Sequence, residues 1–162
     1  MSEPIRILFV DDEERILRSL ALQFRREYEV LTESDPCRAL ERLKSESVQI
    51  IVSDQRMPQM SGAELLAQAG QIAPDTLRIL LTGYSDLDAA VEALNSGGIF
   101  RYLTKPWDQQ EMAFTLRQAA QIAARQLQAP KVSAAIPQAA LNVLLLDEDA
   151  PTLGVVAEFC VA

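Results

Sequence analysis

The stretch Val48 to Pro58, VQIIVSDQRMP, limits the fold more than any other part of the chain. Val48, Ile50, Ile51 and Val52 make a run too short for a buried helix and too apolar for a strand with one wet face. A strand flanked by neighbours and covered on both faces accommodates it, which points to a parallel sheet. The run breaks at Ser53-Asp54, and Pro58 cannot carry a strand onward. Asp54 is therefore expected at the carboxyl end of a buried strand, the edge where open α/β sheets place their chemistry.

The same design recurs along the chain. Ile5 to Val10 (IRILFV) ends at Asp11-Asp12, Leu77 to Leu81 (LRILL) at Thr82-Gly83, and Ile99 to Leu103 (IFRYL) at Thr104-Lys105-Pro106. Glu29 to Thr32 is a shorter strand candidate. Helical spacing fills the gaps: Ile16, Leu17, Leu20 and Phe24; Ala39, Leu40 and Leu43; Leu65, Leu66, Ala69 and Ile72; Leu87, Ala90, Val91 and Leu94; Met112, Leu116, Ala119, Ala123 and Leu127. Asp35-Pro36, Ser61 with Glu64 three residues on, and Asp108 are helix-start signals. Five alternations of strand and helix predict an α/β fold, doubly wound, with a five-stranded parallel sheet and helices on both faces.

Composition narrows the chemistry. With 49% hydrophobic and 23% charged residues the chain can build a core, and a net charge of −8 argues against direct contact with nucleic acid. Two cysteines make neither a disulfide framework nor a metal site, so a reducing cytoplasm is the expected location. No apolar run approaches the roughly 18 residues of a membrane span. There is no histidine. An imidazole base is thus excluded, and any phosphorylated histidine must arrive on another protein.

Four strand ends offer Asp11 and Asp12, Asp54, Thr82 and Lys105. In a parallel sheet these ends emerge on one edge, so residues distant in sequence converge. Three crowded carboxylates repel and need compensation. Oxygen ligands without His or Cys favour a hard cation, Mg2+ before Zn2+. Such an ion, held by Asp12 and Asp54, would neutralise the oxygens of an incoming phosphoryl group that the Asp54 carboxylate attacks in line. The Thr82 hydroxyl and the Lys105 ammonium are the donors that such a product needs. Taken singly, each feature has a plainer explanation: Asp11-Asp12 as a helix cap, Asp54-Gln55 and Thr82-Gly83 as turns, Lys105 as a solvated charge, Tyr102 as an aromatic at a sheet edge. Their common position at strand ends is what the plainer explanations leave out.

The ordered set VDDE, SDQRMPQMSG, LLTGY and FRYLTKP, over about residues 4–125, resembles a response-regulator receiver domain of the CheY-like kind. The resemblance implies a flavodoxin-like strand order 2-1-3-4-5 and phosphorylation of Asp54 by a histidine kinase or phosphotransfer protein in a two-component phosphorelay. It implies Mg2+ bound by Asp12, Asp54 and the backbone carbonyl of Arg56, with Asp11 assisting through water and pairing with Lys105. Thr82 and Tyr102 would be the switch pair, and Lys105-Pro106 a cis peptide. The face carrying Asp86, Asp88, Glu92 and Tyr102 is where a phosphorylation-dependent partner is expected, including a homodimer through the fourth and fifth strands. Similar wording occurs in receivers joined to cyclic-dinucleotide phosphodiesterases, transcription activators or hybrid kinases, so an output domain outside this sequence is implied.

Arg56 and Tyr84, each two residues past a site residue, are expected at the mouth of the site, where their bulk would hinder water and lengthen the life of an acyl phosphate. Met57 and Met60 read as loop packing, and Cys37 as a small apolar filler at a helix start. Residues 126–140, rich in Ala, Pro and Gln, read as a linker. Leu141 to Leu153 (LNVLLLDEDAPTL) echoes Ile5 to Leu17 (IRILFVDDEERIL), so residues 141–162 are expected to be the start of a second receiver-like repeat that stops short. Two other functions compete. A pseudo-receiver would bind partners without phosphorylation, and an aspartate-nucleophile phosphatase would need a DxD turn after the first strand, which Val10-Asp11-Asp12-Glu13 lacks.

Overall fold

The computed structural model describes residues 3–129. Residues 126–128, expected to begin the linker, instead continue the last helix, which runs to Gln128; the rest of the expected linker, from residue 130, and the second repeat at 141–162 lie outside the described residues. The elements are β1 (Arg6–Val10), α1 (Glu14–Phe24), β2 (Glu29–Glu33), α2 (Pro36–Ser45), β3 (Ile50–Asp54), α3 (Gly62–Ile72), β4 (Leu77–Thr82), a 3-10 turn (Tyr84–Asp86), α4 (Leu87–Asn95), β5 (Arg101–Thr104) and α5 (Gln109–Gln128). The strands form one parallel sheet in the order β2-β1-β3-β4-β5, which puts β3 in the middle.

Alternation along each strand divides the core into two layers. Ile7, Phe9, Ile50, Val52, Ile79, Leu81 and Leu103 face α1 and α5, where Leu17, Leu20, Phe24, Met112, Leu116 and Ala119 meet them. Leu8, Val10, Ile51 and Leu80 face the opposite layer, with Leu40, Leu43, Leu65, Leu66 and Ala90. Each fully buried Leu or Ile contributes about 1.5–3 kcal/mol by leaving water, so the central strand is anchored from both sides.

Three helices start where their side chains say they should. Asp35 accepts from the amides of Cys37 and Arg38, with Pro36 in the first turn. Ser61 and Glu64 form a reciprocal capping box, and Asp108 accepts from Gln110 and Glu111. Each pairing satisfies amide groups that a helix start leaves without an internal partner.

Three expectations need correction. Val91 and Leu94 of α4 are exposed, leaving Ala90 as the buried residue of that helix. A helix of nine residues near the β5 edge meets the sheet along one narrow line, so its wider apolar stripe stays in water. Leu127 is also exposed, because α5 runs on past its last buried residue, Ala123. Cys37 is exposed rather than a core filler, and its thiol lies 3.7 Å from Oε1 of Gln59.

Candidate phosphoacceptor site

Asp54 is the last residue of β3 and is 7% exposed. The sheet ladder continues past it: the Gln55 amide donates to the Leu81 carbonyl at 2.8 Å, and the Lys105 amide to the Thr82 carbonyl at 2.7 Å. These bonds fix the strand ends side by side before any side chain acts. The loop after Asp54 then folds back on itself. Gly62 donates to the Gln55 carbonyl at 2.9 Å, Ala63 donates to the Gln55 side chain at 2.9 Å, and Gln59 adopts the left-handed conformation at φ 74°. Met57 and Met60 pack against the core layer beneath.

Carboxylate oxygens of Asp11, Asp12 and Asp54 all lie within 4.8 Å of one another. Asp11 and Asp54 are buried and Asp12 is exposed, so the cluster is open on one side. Lys105 reaches in from the end of β5. Its ammonium lies 2.8 Å from Asp54 and 3.2 Å from Asp11, and 5.9 Å from the centre of the Trp107 ring. Asp11 is not a helix cap: the cap position of α1 is Glu13, and Asp11 accepts the Glu13 amide at 2.9 Å from outside the helix. Nor is Lys105 a free surface charge, since its side chain is 25% exposed and bridges two carboxylates.

Burial pushes the Asp11 carboxyl above its ordinary range, against the Glu13 amide and the Lys105 charge, with the charge of Asp54 adding to the rise. Burial also works against the Lys105 ammonium, but the hydrogen bond to Asp54 and the nearby Asp11 and Asp54 charges outweigh it and raise its pKa. One ammonium among three carboxylates leaves negative charge uncompensated. All-oxygen donors, two of them buried and with one open side, fit a hard divalent cation such as Mg2+.

Thr82 ends β4, is fully buried, and its hydroxyl donates to the Gly83 carbonyl at 3.3 Å. Tyr102 pairs with Leu80 in register and packs, half-buried, against the layer of α2, α3 and α4. The structure thus gathers Asp11, Asp12, Asp54 and Lys105 directly, with Thr82 on the adjoining strand end and Tyr102 two residues before its partner Thr104. Lys105-Pro106 is cis.

The sequence places Arg56 at the mouth of the site but does not reveal the partner that holds it. Its guanidinium is bound to Asp86 and Ser85 in the turn after β4. Tyr84 is 73% exposed. Sequence reading missed Gly62 as well: an added Cβ there would collide with the Asp54 carbonyl oxygen and press on Leu80 at 2.8 Å. The Ser-Gly pair at a helix start was the available signal.

A family model described as "Response regulator receiver domain" matches residues 7–117. The chain belongs to the response-regulator receiver family. As a receiver it is a signalling module of two-component systems rather than a metabolic enzyme. It is 37% identical over 116 residues to the hydrogenase transcriptional regulatory protein HoxA of Bradyrhizobium diazoefficiens, covering 72% of this chain and 24% of that protein. With the DNA-binding transcriptional regulator NtrC of Escherichia coli K12 it shares 44% identity over 80 residues, 49% of this chain and 17% of that one. The receiver therefore spans about a quarter or less of these curated relatives. Among solved structures it is similar to the signal receiver domain of an HD domain-containing protein from Pseudomonas fluorescens Pf-5, with TM-score 0.74, 39% identity, and coverage of 80% of this chain and 96% of that one. Among the described residues no helix is long and apolar enough to cross a membrane.

Proposed function

We propose that this receiver takes a phosphoryl group on Asp54 from a phosphohistidine of a partner kinase or phosphotransfer protein. The supporting observation is a carboxylate at the end of the central strand, held at 2.8 Å by an ammonium and within 4.8 Å of two further carboxylates. A carboxylate oxygen of Asp54 attacks phosphorus as the histidine N–P bond breaks, and the departing imidazole takes up a proton. Asp12 and Asp54, with the Arg56 backbone carbonyl, would hold Mg2+, and Asp11 would assist through water. Bound there, the ion supplies positive charge that offsets the phosphoryl oxygens. Lys105 loses one carboxylate partner when Asp54 becomes an acyl phosphate and turns its ammonium to a phosphoryl oxygen. Thr82 reorients its hydroxyl from Gly83 to another, and Tyr102 follows as the second half of the switch.

The readout is a changed surface around α4 and β5, offered to an output domain, to a partner or to a second copy. A receiver joined to a transcriptional output, as in the similar HoxA and NtrC proteins, is one setting for such a readout.

The test is incubation of the purified chain with acetyl phosphate and Mg2+, followed by phosphate-affinity electrophoresis. A retarded band is expected for the parent and none for Asp54→Asn. A parent that stays unmodified yet binds partners would favour the pseudo-receiver reading instead.

A further inference from the structure

Arg56 and Asp86 meet as a two-pronged pair. Nε of Arg56 donates to Oδ2 of Asp86 at 2.7 Å, and Nη2 donates to Oδ1 at 3.3 Å. The same Nη2 donates to the Ser85 hydroxyl at 2.8 Å. A residue two places past Asp54 is thereby tied to the 3-10 turn between Thr82 and α4.

Asp86 occupies the N-cap position of α4, a place where Asp is among the strongest capping residues. In α2 and α5 the corresponding aspartates, Asp35 and Asp108, each accept two backbone amides. Asp86 accepts none: its carboxylate is turned to Arg56, and its backbone, at φ −115° and ψ 14°, runs on from the 3-10 turn where Asp35 and Asp108 are extended, so capping requires ψ of Asp86 to turn as well. Two arrangements compete for one side chain. The outcome matters for α4 because its buried residue, Ala90, is a small side chain, so packing adds only modestly to what holds the helix start.

The guanidinium fork suits phosphate as well as it suits carboxylate. A phosphoryl group on Asp54 adds a charge of about −1.5 to −2 and three acceptor oxygens at pH 7. It would arise two residues from Arg56, whose side chain is 71% exposed and held by Asp86 and Ser85.

We propose that Asp86 is a two-way switch, paired with Arg56 while Asp54 is bare and capping α4 once a phosphoryl group on Asp54 draws Arg56 away. This rests on the reading of Asp54 as the phosphoacceptor. Its consequence is that the start of α4, next to the exposed Tyr84 and Val91, firms up on phosphorylation.

Backbone amide exchange on the full chain tests it, read at Asp88 and Ala89, the amides that a capping Asp86 would engage. Beryllofluoride with Mg2+ serves as the phosphoryl probe. In the parent, these amides are expected to slow by about fivefold on adding the probe, the factor that a cap of ordinary strength gives. Arg56→Ala should show the slow exchange without any probe. Asp86→Asn, which loses the ion pair but keeps a capping side chain, should do the same, and Asp86→Ala should exchange fast in both states. Parent-like exchange in probe-free Arg56→Ala would overturn the switch, and that arm needs no phosphoryl mimic. A parent whose residues 54–57 respond to the probe while Asp88 and Ala89 do not would sink the switch alone. A parent with no response anywhere would sink the phosphoacceptor reading and the switch together.

Discussion

Gly62 leaves open the space that the carbonyl oxygen of Asp54 occupies. The first turn of α3 is thus seated directly on the backbone of the proposed acceptor, and a methyl group cannot enter without moving one of them. Gly62→Ala is expected to cost about 1–3 kcal/mol, the range for forced overpacking, and to slow acetyl phosphate labelling of Asp54. Urea unfolding and a labelling time course check the two halves. Parent stability together with a parent rate would show that the loop adjusts freely.

Lys105 carries the positive charge that Asp11 and Asp54 share. Lys105→Met keeps the aliphatic stem and removes the ammonium. Labelling by acetyl phosphate should fall by about 100-fold, the scale for losing one preorganised donor to a developing charge. Phosphate-affinity gels over time measure it, and a loss under threefold would remove Lys105 from the chemistry.

The three-carboxylate cluster predicts that Mg2+ stabilises the fold. At a concentration 100 times its dissociation constant an ion that binds the folded state adds about 2.7 kcal/mol. Urea midpoints with Mg2+ and with EDTA should differ in the parent. The difference should shrink sharply in Asp12→Ala, whose exposed side chain has little part in packing. Equal shifts in both proteins would place the ion elsewhere.

The capping box at Ser61 gives an acid-dependent contribution. Hydrogen bonds from the Ser61 amide and hydroxyl hold the Glu64 carboxyl below its ordinary value. A folded-state pKa lower than the unfolded one means stability that is present above about pH 4.5 and is lost as pH falls through the folded value. Ser61→Ala should cost about 1 kcal/mol at pH 7, and Glu64→Gln should flatten the acid limb of the stability curve. Thermal melts between pH 3 and 7 would show an unchanged limb if Glu64 were merely solvated.

Strands could be read from the chain because Ile5 to Val10 and Val48 to Val52 are contiguous apolar runs, a pattern with few other uses. The caps at Asp35, Ser61 and Asp108 were legible because the group and its target lie two or three residues apart. The pairing of Arg56 was not legible for the opposite reason: its partner Asp86 is 30 residues away, and their meeting depends on two loops whose paths no local pattern encodes. Asp86 reads in the sequence only as part of a partner face, and the folded loops reveal that Arg56 has claimed it. Cys37 was misjudged because a small apolar residue beside a buried proline can point either way, and here it points outward.

The bond from the Lys105 amide to the Thr82 carbonyl makes the hydroxyl and the ammonium neighbours on a single yoke. Any backbone travel that carries Thr82 toward a modified Asp54 hauls the root of Lys105 along with it. Signal and catalysis in this receiver would then share a hinge, and a variant that freezes one should blunt the other.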